Sequence, residues 1–302
     1  MKPGTLLFLI TTMLCFSMQL YALDFIVGPK AGWYVWQPYF SEMKGSGIEE
    51  IESGSGFLYG GVLGIHLTSK ISLSASALTG TQATYWSNWN TEKTLGGDDI
   101  SATGNFYTEI RRTDIDSALN FRVSGLFRIF AGYRYQQAET GLKGTFVQEI
   151  LTGPDTGKKS VQNGDIKINM PSQGPALGIG YTQAFRRNFF LSLNVSGLYM
   201  WGKFKFEKNQ WDKYEPDGTS SFAPPVITSA GSQGYDMKQM GMNVEPSLGL
   251  SVNPLTITVG GRFQWTRSQF LDDPVVETTR FAPTGWMDDY LYGVFVSLLL
   301  LF

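Results

Sequence analysis

Residues 290–302 read YLYGVFVSLLLLF. Counting back in twos from Phe302 gives Leu300, Leu298, Val296, Val294, Tyr292 and Tyr290, so one face is apolar along its whole length and begins on aromatic rings. In water such a strand is an edge that invites pairing with other chains. The segment is readily accommodated if that face meets hydrocarbon and both edges are paired in a closed barrel.

This stretch resembles the terminal strand by which outer-membrane β-barrel proteins are recognised during assembly. The resemblance implies the barrel-assembly machinery as a partner, with Tyr292, Leu298, Leu300 and Phe302 as the recognised positions. The other end of the chain agrees. Lys2 gives a positive start, residues 6–10 and 13–16 are apolar, and Leu20-Tyr21-Ala22 suits cleavage. That pattern predicts a secretory signal peptide over residues 1–22 and a barrel over 23–302. Leu14 stands before Cys15 where lipoprotein processing sites resemble each other in carrying a small residue, so lipidation is not expected. With Cys15 in the leader, no thiol remains for a disulfide or a thiolate metal site.

Composition narrows the class. No later window holds the roughly 18 apolar residues of a membrane helix. Aromatics at 14% and 35 glycines suit strands joined by tight turns, with rings at an interface. A formal net charge of −2 gives no electrostatic case for nucleic acid.

Period-2 segments alternate with two kinds of break. Short ones fall at 68–70, 124–125, 186–188 and 253–254; long, polar, glycine-rich ones fall near 41–54, 87–107, 141–168, 207–234 and 271–285. Strict alternation of short and long is the pattern of tight periplasmic turns and longer extracellular loops. Nine connections join ten strands. An even number leaves both chain ends on the periplasmic side.

The strands are two-faced. Phe127, Ile129, Ala131, Tyr133 and Tyr135 oppose Arg128, Arg134 and Gln136; Leu255, Ile257, Val259, Phe263 and Trp265 oppose Arg262, Gln264 and Thr266. A secreted β-sandwich would also alternate, but its strands run about 5–6 residues, and these run to 12 or more. Tyr and Trp gather at strand ends, as they do at membrane interfaces. The predicted fold is all-β: a transmembrane antiparallel up-and-down barrel in the outer membrane of a diderm bacterium, in contact with lipid and lipopolysaccharide.

The polar faces then line a lumen, with Lys30, Arg122, Arg128, Arg134 and Arg262 against Asp114, Asp116 and Glu245. In a barrel this narrow, the first expectation is an interlocked network that fills the interior. The second is a narrow arginine-lined path for small anions. Among the loops, Trp89, Trp211 and Tyr214 are the candidates for binding an extracellular ligand, since exposed aromatics can stack on sugars or pack on a partner.

Ten strands with long outer loops resemble the omptins, the outer-membrane proteases. The resemblance covers the barrel span and rests on architecture, with no local motif. It implies an Asp pair and an Asp–His pair at the extracellular rim. Asp98-Asp99, Asp272-Asp273 and Asp288-Asp289 are the acidic candidates. The sole histidine, His66, precedes the short turn at Thr68 and so lies at the opposite end. Acid–base chemistry needs hydrogen-bond reach. The expectation is therefore no catalytic residue, no metal and no cofactor, and a binding or structural role carried by the loops.

Overall fold

The computed structural model describes residues 24–39, 53–95, 98–152, 156–157, 159–215, 228–272, 275–276, 279–280 and 285–302. The predicted signal peptide lies outside them. Ten strands close into a barrel: β1 (Asp24–Gln37), β2 (Gly54–His66), β3 (Ile71–Leu95), β4 (Asp98–Arg122), β5 (Phe127–Ile150), β6 (Lys159–Ala184), β7 (Phe189–Glu215), β8 (Thr228–Val252), β9 (Leu255–Phe270) and β12 (Met287–Leu301). A separate hairpin, β10 (Val275–Val276) with β11 (Thr279–Arg280), lies between β9 and β12. Every neighbour pairs antiparallel, and β12 closes the ring on β1.

Two of the four short connections are held by hydroxyl side chains. Thr68 Oγ1 accepts from the amides of Lys70 and Ile71, and Ser124 Oγ accepts from those of Leu126 and Phe127. Closure needs a glycine where β1 meets β12. A Cβ on Gly28 would collide with the Leu298 carbonyl oxygen, where the β1–β12 ladder has a gap at Gly28-Pro29.

The outward face is apolar. Leu177, Ile179, Leu248, Val259, Val294 and Leu298 all point away from the barrel and are exposed. Tyr292, Leu300 and Phe302 continue that face along β12. Ring pairs bound the belt at both ends: Trp33 on Phe57, Tyr199 on Trp201 and Phe263 on Tyr290 above, Phe127 on Tyr181 and Phe185 on Phe189 below. An apolar surface of this extent with aromatic margins is a lipid-facing surface.

Three of the five expected long loops are largely strand, while most of 41–54 and much of 271–285, Asp273 included, lie outside the described residues. Residues 87–107 continue the β3–β4 ladder to Leu95↔Asp98, residues 141–168 continue β5–β6 to Glu149↔Lys159, and β7–β8 pairing reaches Trp211↔Thr228. Strands of 24–27 residues far exceed the about 9–11 that cross a bilayer. By contrast β1, β2, β9 and β12 are 13–16 residues long. Six adjacent strands, β3 to β8, thus form a raised wall on one side of the rim. About 15 residues beyond the belt, at ~3.3 Å each and a ~40° tilt, make it on the order of 35 Å high. The ladder persists because these polar segments still alternate: Ile166 and Ile168 turn inward within 141–168, and Ile110 and Phe204 do so just below the other two. Glycine and polarity alone concealed that pattern. The strand count stays at ten.

Candidate functional site

Among the described residues, the buried ion pairs gather in the lumen. Asp114 on β4 accepts from Arg112 Nε at 3.0 Å and meets Arg262 at 3.1 Å, with all three side chains almost wholly buried. Arg262 is on β9, five places from β4 in the ring of ten, so this ion pair crosses the full width of the lumen. Arg262 also approaches Glu245 at 3.6 Å, and Lys30 approaches Glu245 at 3.9 Å. Arg134 pairs with Asp116 and donates to Gln264 Oε1 at 2.9 Å. Gln264 in turn donates to Gln136 Oε1 at 2.9 Å, and Gln239 donates to Ser268 Oγ at 3.0 Å. Most of these interior charges are paired, Asp114 with Arg262 across the barrel and Asp116 with Arg134 on neighbouring strands, as buried charges generally are.

Two layers lie above this network. Trp36 Nε1 donates to Asp289 Oδ2 at 2.8 Å, and the Arg112 guanidinium sits 5.7 Å from the Trp36 ring. Higher still the lumen is a packed apolar core of Ile110, Ile168, Met170, Phe204, Met237, Phe270 and Met287. The Tyr39 hydroxyl donates to the thioethers of Met170 at 3.1 Å and Met237 at 3.6 Å. The raised wall therefore encloses a filled interior at its base.

Six of the eight lumen residues expected from sequence join one network: Lys30, Asp114, Asp116, Arg134, Glu245 and Arg262. Arg122 and Arg128 do not. They stand opposite each other at the short-turn mouth, where Arg128 donates to Asn194 Oδ1 at 2.7 Å. The error is one of depth, since parity sets a residue's face but not its height. Arg112 and Asp289 were missed as lumen members. Arg112 extends the alternation Arg112, Asp114, Asp116 by one step, and that step was the available signal.

The three aromatic candidates are not in loops. Trp89 pairs with Gly104, Trp211 with Asn163 and Thr228, and Tyr214 with Ser160, all on the raised wall. Their side chains lie outside the described residues. Of the acidic pairs, Asp288 accepts from Trp265 Nε1 and Arg267 Nε on the outer face, and Asp289 is sealed under Trp36. Asp98 and Asp99 sit at the β3–β4 tip. His66 is opposite Asp24, at the far end from all of them. Along β1 alone, 13 residues at ~3.3 Å separate the His66 level from that of Tyr290, about 40 Å.

No family model matches this sequence, and no curated protein matches it. Among solved structures the chain is similar to the outer membrane protease OmpT from Escherichia coli, at 13% identity over 93% of this chain and 96% of that one, with a TM-score of 0.45. It is also similar to a major outer membrane protein from Thermus thermophilus (11% identity, 93% and 100% covered, TM-score 0.33). The translocator domain of the autotransporter NalP from Neisseria meningitidis gives 9% identity, 96% coverage of each chain and a TM-score of 0.32. What the described residues define by themselves is a closed ten-stranded transmembrane barrel with a cross-braced lumen.

Proposed function

We propose that this chain is a bacterial outer-membrane barrel whose work is binding or structural, done without catalysis by the raised six-stranded wall on the extracellular side. The observation that carries the reading is the wall itself, standing on an interior closed by Asp114–Arg262 and by the apolar core above it. A solute path would need a continuous wet lumen; a diametric ion pair capped by Phe204, Met237 and Phe270 opposes one. A peptidase of omptin type would need a histidine near the rim carboxylates, and His66 is a barrel length away.

A wall of paired strands presents a broad, stiff surface. Its two margins, β3 beyond Thr84 and β8 before Asp236, have no barrel neighbour among the described residues. Free strand edges bind extended segments by backbone pairing.

Three measurements on purified, folded protein test this reading. Planar-bilayer recording is expected to give no steady conductance, and a peptide-library assay no cleavage. A glycan and peptide array is expected to give signals that disappear when residues 88–105 are replaced by a two-residue turn. Steady conductance lost in Arg262→Gln, or cleavage lost in Asp98→Ala, would overturn the proposal.

A further inference from the structure

The two lumen-facing arginines left out of the central network lie together. Arg122 on β4 and Arg128 on β5 are directly opposed at the periplasmic mouth. Like charges facing one another across neighbouring strands repel. They share a cavity of about 60 Å³ with His66, Lys70 and Asn120. Among the described residues no carboxylate comes within ion-pair distance of Arg122, Arg128, His66 or Lys70. The lumen's acids are taken up elsewhere, Asp114 and Glu245 by Arg262 and Asp116 by Arg134. Asp24 faces His66 in the β1–β2 ladder but forms no ion pair with it.

Arg128 is held in place and only half satisfied. One terminal nitrogen donates to Asn194 Oδ1 at 2.7 Å, while its Nε is buried with no partner. Nε is sealed from the cavity, so what Arg128 offers an acceptor there is the guanidinium's charge and its second terminal nitrogen, which makes no hydrogen bond among the described residues. The cavity holds about two waters' share of liquid volume, ~30 Å³ each, which is the scale of a small tetrahedral oxyanion. Guanidinium groups match such anions bidentately.

We infer that the periplasmic mouth is a binding site for a phosphate-class oxyanion, gripped by Arg122 and Arg128 with Lys70 and His66 on its open side. Free phosphate and the headgroup of a phospholipid folded over the Thr68 turn offer the same chemistry.

The test uses the full folded chain in dodecyl maltoside, in phosphate-free buffer. Inorganic phosphate is titrated against chloride at matched ionic strength, read by phosphorus-31 line width and by the thermal unfolding midpoint. A second arm adds dimyristoylphosphatidylglycerol to the micelles. The expected result is broadening and a raised midpoint with phosphate, binding weakened about tenfold in Arg122→Gln (the loss of one charge-assisted hydrogen bond), and no change in Lys203→Gln on the wall. Where Arg128→Gln folds, it is expected to behave as Arg122→Gln does; the Arg122 variant carries the test if it does not. A response to phosphatidylglycerol alone, lost in Arg122→Gln, upholds the site and assigns the headgroup as its ligand. Equal effects of chloride and phosphate, no response in either arm, or full binding by Arg122→Gln would overturn the inference.

Discussion

Replacing Asp114 by Asn probes the lumen at its most constrained point. The carboxylate is 1% exposed, and it stands between Arg112 at 3.0 Å and Arg262 at 3.1 Å. Each contact represents about 5 kcal/mol of Coulomb attraction at an effective dielectric near 20, most of it offset by desolvation. Removing one member of a buried pair leaves uncompensated charge and costs about 3–5 kcal/mol. Arg262 keeps Glu245 at 3.6 Å and donates to Gln264 Oε1 at 2.7 Å, whereas Arg112 keeps only Gln136 at 3.3 Å and the Trp36 ring. The loss is therefore expected near the lower end, about 3 kcal/mol. Urea unfolding in lipid vesicles, followed by tryptophan fluorescence, measures it. An internal control is available in Lys203–Asp236, a 3.4 Å pair with side chains 61% and 54% exposed. Asp236→Asn is expected to cost under about 1 kcal/mol, as exposed pairs do. The double change Arg112→Met, Asp114→Leu, which removes charge and counter-charge together, is expected to cost less than Asp114→Asn alone. If Asp114→Asn also costs under about 1 kcal/mol, water reaches the arginines, the lumen is wet, and the sealed-barrel reasoning fails.

Leu177 points outward at 68% exposure in the middle of the belt, so Leu177→Arg is expected to cost about 2–4 kcal/mol in vesicles; a cost near zero would put that face in water. Gly28→Ala is expected to destabilise closure by about 1–3 kcal/mol, because the added methyl meets the Leu298 carbonyl and the strands must part; unchanged urea unfolding would show that β1 and β12 are not locked there. Trp36→Phe keeps the ring but removes the donor to the buried Asp289 carboxylate, an expected loss of about 1.5–3 kcal/mol by the same assay; no loss would mean that Thr266 alone satisfies that carboxylate.

How much of this was legible in the sequence differs by feature. The ten strands and their facing were legible, because a residue's side follows from parity and an apolar outer face is written in every segment, Tyr290–Phe302 above all. The height of the wall was not. Residues 87–107, 141–168 and 207–234 are polar and glycine-rich, and in water a paired strand needs only one apolar face. Leu142, Ile166 and Ile168 supply that face in the second of these, and Ile110 and Phe204 lie just below the other two, so the apolar positions are too sparse and the segments read as loops. The charge network was legible in membership and not in connection. Pairing Asp114 with Arg262 requires knowing which strands oppose each other across the ring. The depth error at Arg122 and Arg128 has the same root, since distance from a turn is a length along a tilted strand. Asp288 and Asp289 look alike in the sequence as acids at a strand's outer end; alternation sends the two to opposite faces.

Alternating solvent access along β12 tests the central account most directly. The chain's one cysteine, Cys15, lies in the predicted leader, so single cysteines can be placed at 294, 295, 296, 297 and 298 and spin-labelled. In lipid vesicles, collisions with oxygen report hydrocarbon, and collisions with a water-soluble nickel chelate report water. The expected result is oxygen access without nickel access at 294, 296 and 298, and protection from both reagents at 295 and 297, where Phe295 and Ser297 pack into the lumen. Nickel access at the even positions would put the apolar face in water, and nickel access at the odd ones would open the lumen; either result contradicts a lipid-embedded, cross-braced barrel.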